Sequence, residues 1–186
     1  MSTSFTPEDD IQPEWLLHRG CADDPQGEPV VPQHIGRYAD RVLDNARLGP
    51  GMQLLDVGTG DGLVGFRAIR RIGSTLRVQM TDMSGRMLRH AERRAVELGV
   101  RGQCRFLHCG ADRLEGIVDG TVDVVTTRGV LAYVADKELV LGEFLRVLKP
   151  GGRISLAEPI FQDEAFSARA LKTLLESRPA DALHPL

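Results

Sequence analysis

The chain has 186 residues, 42% hydrophobic and 26% charged, and a net charge of −3. That length allows one domain with a substantial core, and the slightly acidic balance points away from a polyanion partner. The acidic, apolar-poor opening MSTSFTPEDDIQPEW is neither a signal nor a transit peptide, and no stretch is apolar for long enough to cross a bilayer, so a soluble cytoplasmic protein without a membrane partner is expected.

Residues 1–33 read as an N-terminal extension and loop: EWLLHRG offers a short helical turn, and CADDPQGEPVVPQ is broken by prolines. From His34, IGRYADRVLDNARL has helical spacing, with Ile35, Tyr38, Val42, Leu43 and Ala46 on one face. GPG then breaks the chain before MQLLDVG, the first clear strand. GLVGFRAIRRIG follows as a helix, LRVQMTD as a strand and SGRMLRHAERRAVELG as a second helix. Ser84 suits the N-cap of that helix, Met87, Leu88, Ala91, Ala95 and Leu98 form its inner stripe, and Gly99 ends it.

QCRFLHC is the third strand, where Cys104 and Cys109 are set to point to opposite faces. With Cys21 they make an odd number without metal-ligand spacing, which favours free structural thiols and no metal. ADRLEGIVDGT is a short helix or a loop, VDVVTTR the fourth strand, and DKELVLGEFLRVL a helix opened by Asp136. Pro150-Gly151-Gly152 turns the chain into RISLAEPI, the fifth strand. Strands alternating with helices imply right-handed crossovers and a parallel sheet covered on both faces: an α/β, Rossmann-like three-layer sandwich.

In such sheets a ligand sits beyond the carboxyl ends of the strands, where the turn GTGDG belongs. The phosphate-loop pattern GxxxxGK[ST] is absent, and the dinucleotide pattern GxGxxG fails at Leu63, although Gly58 and Gly60 match. Asp61 lies where a pyrophosphate would meet the helix N-terminus, and a carboxylate there competes for the same N–H groups. A phosphate-free ligand carrying positive charge meets no such objection.

LLDVGTGDG resembles the first motif of the class I S-adenosylmethionine-dependent methyltransferases, and later signatures follow in the family's order between Arg37 and Ile160. The resemblance implies a strand order of 3-2-1-4-5 and S-adenosylmethionine as cofactor, bound by a domain over residues 34–178 with a tail at 179–186. It implies a donor site built from Asp56, Gly58, Thr59, Gly60, Asp82, Met83, Ala111, Asp112 and Arg128. In MTDMS, Asp82 would accept both ribose hydroxyls and Met83 would pack against adenine. The alternative is that Asp82 caps the next helix, a task Ser84 already suits. In CGADRL, Gly110 stands where relatives have an acid. Asp112 would supply the carboxylate from two positions on, with the Ala111 N–H meeting the adenine ring, or it caps a short helix instead. VLKPGG resembles the family's usual connection into the fifth strand.

Arg128 ends the fourth strand and could hold the methionine carboxylate or an anionic acceptor, with Glu158 offsetting its charge. The alternative is an Arg128–Glu158 pair without ligand contact. Tyr133 and His34 are candidates for acceptor contact or proton removal, against plain packing and exposure. Arg37 and Tyr38 open the helix that family members fold over the donor, so Tyr38 could touch the cofactor. No Asn/Asp-Pro-Pro-Tyr motif and no basic cluster interleaved with aromatics follow the fourth strand, nor does the aspartate of metal-dependent O-methyltransferases. The expected acceptor is therefore a small organic molecule, with no nucleic acid and no catalytic metal.

Family members continue past the fifth strand through a helix to an antiparallel hairpin. Here FQDEAFSARALKTLLES supplies a helix with Phe166, Ala170, Leu171, Leu174 and Leu175 inward, and ADALHPL is too short for two strands. The C-terminal hairpin is therefore expected to be missing and the outer edge of the fifth strand open: either a homodimer or the tail covers it, or the chain is a fragment or a degenerate copy. Two functions stay open: a small-molecule methyltransferase, or a non-catalytic S-adenosylmethionine-binding or dimerisation module. A dinucleotide oxidoreductase is a distant third.

Overall fold

A computed structural model describes residues 30–158, with side chains from residue 36 onward. The expectations for Cys21, the C-terminal helix, the hairpin and the tail lie outside these residues.

The elements are α1 (Val30–Ala46), β1 (Gln53–Val57), α2 (Leu63–Ile72), β2 (Arg77–Asp82), α3 (Gly85–Glu97), β3 (Cys104–His108), β4 (Val122–Arg128), α4 (Lys137–Val147) and β5 (Leu148–Ala157). The five strands form one sheet, parallel throughout as the alternation of strands and helices implies, in the order β3-β2-β1-β4-β5 that the resemblance implies. Leu54, Val78 and Val124 face α1, α2 and α3, whereas Leu55, Val57 and Val125 face α4. Parallel strands buried on both sides need such continuous apolar runs. Phe144 of α4 is fully buried and is the largest side chain in its layer. Cys104 and Cys109 fall into opposite layers, as the strand period requires, and both are free thiols.

Local chemistry sets the helix limits. Ser84 accepts from Met87 N at 3.2 Å and Asp136 from Leu139 N at 2.9 Å, so both expected N-caps form. Gly65 in α2 lies so close to the sheet that a Cβ there would overlap Met80 Cε, which holds helix and strand in direct contact.

Four expectations change. Residues 30–33, read as loop, are the first turn of α1: Pro32 sits where the helix needs no backbone donor, so the proline is tolerated. Tyr38 is exposed, and Ala39 takes its place on the inner face of α1. Leu98 likewise lies past the buried stripe of α3 and is exposed. Finally, Pro150–Gly152 is a bulge inside a continuous β5 rather than a turn before it. Val122 pairs with Leu148 but Val124 with Arg153, so β5 advances five residues while β4 advances two. Gly152 fits there because a Cβ would crowd Lys149 O and Leu148 Cδ2, each at 2.9 Å. Residues 111–121 form turns, without a helix.

Candidate functional site

The carboxyl ends of β1, β2 and β4 carry nearly all of the expected site residues. β1 ends in a turn that only glycine can make at Gly58: φ is +64°, and a Cβ would overlap Val130 Cγ2 from the loop after β4. Gly60, at φ +56°, is not crowded in this way: a Cβ there would make one ordinary contact, with Met87 Cε at 3.7 Å. The two glycines thus answer different needs: Gly58 admits a neighbouring loop, whereas at Gly60 the positive φ alone asks for glycine.

Asp56 supports the turn from below. It is 2% exposed, and its carboxylate accepts from the Thr59 hydroxyl at 2.7 Å and the Thr126 hydroxyl at 2.8 Å. The register sets Asp56, Thr126 and Ser155 side by side across β1, β4 and β5, and Ser155 donates to Val42 O in α1 at 2.7 Å. Burial pushes the Asp56 carboxyl up to about 6, against the opposing pull of the Thr59 and Thr126 hydroxyls, the Arg128 charge and the Gly65 N–H. Thr59 is buried with its hydroxyl on Asp56, and its N–H donates to Thr81 O at 2.9 Å, so its side chain faces the protein.

Asp82, at the end of β2, bridges two segments. One oxygen accepts from Gly60 N at 2.8 Å and the other from Ser84 N at 2.9 Å. A carboxylate oxygen accepts more than one hydrogen bond, so these contacts do not exhaust it. Met83 next to it is exposed, its carbonyl bonded to His108 Nε2 at 2.8 Å. The Asp82 carbonyl accepts from Cys109 N at 3.2 Å, which brings the end of β3, and Ala111 and Asp112 after it, to the same rim. Asp112 is exposed and caps no helix; its carboxylate folds back over Gly110.

Arg128 ends β4, half-buried, and its charge reaches Asp56. Among the described residues no ion pair joins it to Glu158. The two Glu158 oxygens accept instead from Val130 N at 3.0 Å and Ala132 N at 3.1 Å. Tyr133 closes the short 3-10 turn Leu131–Tyr133 and is exposed. His34 belongs to the backbone of α1, and its side chain is outside the described residues.

Asp61 stands at the helix start where the sequence put it, with a partner the sequence did not show. Its carboxylate accepts from Leu63 N at 3.2 Å, so it does occupy the start of α2, but Arg94 pairs with it at 2.6 Å and lies over the Phe66 ring. The obstacle to an anion there is therefore an occupied helix end rather than a bare negative charge. Val130, Thr126, His108 and Arg94 were missed as contributors. Only Thr126 left a trace in the sequence, as the first of two adjacent hydroxyls after the apolar pair Val124-Val125.

An open parallel α/β sheet with a glycine turn after β1 and an acid at the end of β2 is the Rossmann-like architecture, a class that binds nucleosides beyond the carboxyl ends of its strands. The family model described as methyltransferase domain matches residues 48–180, and the chain belongs to the class I S-adenosylmethionine-dependent methyltransferase family. It is 34% identical over 117 residues to the ubiquinone/menaquinone biosynthesis C-methyltransferase UbiE of Idiomarina loihiensis, covering 63% of this chain and 46% of that protein. It is 35% identical over 118 residues to the tRNA 5-carboxymethoxyuridine methyltransferase of Escherichia coli K12, covering 63% and 43%. The solved structure of geranyl diphosphate methyltransferase in complex with GPP and sinefungin superposes with a TM-score of 0.64 at 26% identity, over 75% of this chain and 54% of that one. The chain spans about half the length of the curated relatives it matches. Among the described residues no helix is long and apolar enough to cross a membrane.

Proposed function

We propose that the chain binds S-adenosylmethionine across the carboxyl ends of β1, β2 and β4 and directs methyl transfer to a small organic acceptor in the cytoplasm. The observation that carries this reading is the bond between Gly60 N–H and Asp82, 2.8 Å long, which joins the open part of the glycine turn to the acid of β2. A nucleoside entering there meets a ribose acceptor and an unobstructed backbone together. The residues fit a phosphate-free nucleoside better than a dinucleotide, because the Asp61 carboxylate already holds the N–H of Leu63 at the start of α2.

In this reading Asp82 accepts the ribose hydroxyls, Met83 packs against adenine, and the Ala111 N–H and Asp112 meet its polar edge. Gly58 and Gly60 border the methionine end, Asp56 and Thr59 hold the turn in shape beneath it, and Arg128 takes the methionine carboxylate or an anionic acceptor. When bound, the cofactor supplies a methyl carbon activated by the adjacent sulfonium. The chain's own contribution is alignment and the exclusion of water. Tyr133 and His34 are the side chains for acceptor contact or proton removal. A second copy of the chain covers the outer edge of β5, which static light scattering would report as a dimer.

Calorimetric titration with S-adenosylmethionine, S-adenosylhomocysteine and NADH tests the donor site; NADH binding with the sulfonium nucleosides ignored refutes it. Labelled-methyl transfer to phenols, amines, carboxylates and tRNA then tests the acceptor. Transfer to tRNA alone overturns the small acceptor, and donor binding without any transfer favours the non-catalytic module.

A further inference from the structure

Glu158 has no place in the donor site just described, yet it controls what stands next to it. β4 leaves the sheet at Arg128, and the chain reverses at Gly129, whose φ is +67° and whose N–H still donates to Ala157 O of β5 at 2.9 Å. Beyond that bond the loop has left the ladder, and its next donors need another acceptor. Glu158, the first residue past β5, supplies it: one oxygen takes Val130 N and the other Ala132 N. Hydrogen bonds from two backbone donors to one carboxylate are charge-assisted and fix the loop in two places. Tyr133 N then closes on Val130 O at 3.0 Å, completing the short turn that carries the exposed Tyr133.

The loop so held is pressed against the glycine turn. Val130 Cγ2 fills the space a Cβ at Gly58 would need. A path of contacts therefore runs from the end of β5, over β4, to the turn after β1: Glu158 to Val130 to Gly58. Moving Val130 by an ångström would uncover Gly58 and shift the wall carrying Leu131 and Tyr133. No other described side chain is bonded to the N–H groups of Val130 or Ala132.

We propose that Glu158 is a positioning residue: it clamps the Gly129–Tyr133 loop over the glycine turn and thereby fixes the wall of the site between donor and acceptor. The inference rests on the donor-site reading above. It also accounts for an acid at the end of β5 that does not offset Arg128.

The test compares Glu158→Gln with the wild-type chain. The amide oxygen of Gln can take one N–H but its NH2 cannot take the other. Amide hydrogen exchange across residues 128–134 is expected to quicken at least tenfold at Val130 or Ala132, and S-adenosylhomocysteine affinity to fall about 5- to 20-fold. Asp123→Asn is the control, since Asp123 also accepts a backbone N–H, from Gln53 at 2.7 Å, and pairs with Lys149 at 2.8 Å, but at the opposite end of the sheet. That variant is expected to lower thermal stability while leaving affinity within twofold. Unchanged exchange in Glu158→Gln, or an affinity loss no larger than in Asp123→Asn, overturns the proposal. A wild-type chain that ignores S-adenosylhomocysteine refutes the donor site instead, while the exchange rates still decide whether Glu158 holds the loop.

Discussion

Asp56→Asn probes the support beneath the glycine turn. The carboxyl is pushed from 3.8 to about 6, chiefly by burial, with two hydroxyls and Arg128 opposing. That difference corresponds to roughly 3 kcal/mol between the protonated and ionised folded states. The folded chain keeps this proton to higher pH than the unfolded chain does. Asp56 therefore withdraws stability as pH climbs from about 4 through about 6, after which its effect levels off. Asparagine does not titrate. Subtracting the wild-type unfolding free energy from that of the variant cancels every other ionising group, provided the substitution leaves them alone. Urea unfolding at intervals from pH 4 to 7.5 should show this difference shifting in the variant's favour by roughly 2.5 kcal/mol, whatever its starting offset. The offset itself reports how well the Thr59 and Thr126 hydroxyls adapt to an amide. A difference that stays level over that range would refute the reasoning, because a carboxyl ionised in both states contributes no slope.

Three further outcomes follow from the geometry. Asp82→Ala should weaken S-adenosylhomocysteine binding at least tenfold by calorimetry and, with its bonds to Gly60 N and Ser84 N gone, lower stability by about 1–3 kcal/mol. Thr81 and Thr127 are fully buried with hydroxyls that find no partner among the described residues, so Thr81→Val and Thr127→Val should each raise stability by about 1 kcal/mol in denaturant titration. Burial pushes the thiols of Cys104 and Cys109 up from 9.0 to about 11, so in a Cys21→Ser background their reaction with a disulfide reagent at pH 8 should run at least about tenfold slower than in the unfolded chain.

How far the sequence could be read depended on the range of the interactions involved. The glycine turn, the acid ending β2 and the caps Ser84 and Asp136 are local patterns, set by φ angles and by donors within a few residues, and they were legible. The strand order was legible through the family resemblance, and the apolar runs agree with it. Tyr38 misled because an aromatic at helical spacing looks like core, while the small Ala39 fills the close contact. Glu158 misled for a different reason. It was set against the charge of Arg128, yet its partners are the N–H groups of Val130 and Ala132, 28 and 26 residues away. The ion pair of Asp61 with Arg94, 33 residues away, was out of reach of the sequence in the same way. Backbone donors carry no signature in the sequence, so a carboxylate spent on them cannot be told from one awaiting a cation.

The bulge at Pro150–Gly152 has a consequence for evolution and engineering alike. Its three surplus residues act as a phase adjuster, deciding which members of an alternating strand look toward α1 and which toward α4. Removing one glycine would rotate everything downstream by half a period. Ser155 would leave Val42, an apolar neighbour would take its place, and Glu158 would aim away from the loop it anchors. A deletion far from any ligand would thus disassemble the wall of the site while leaving the composition of the strand almost unaltered.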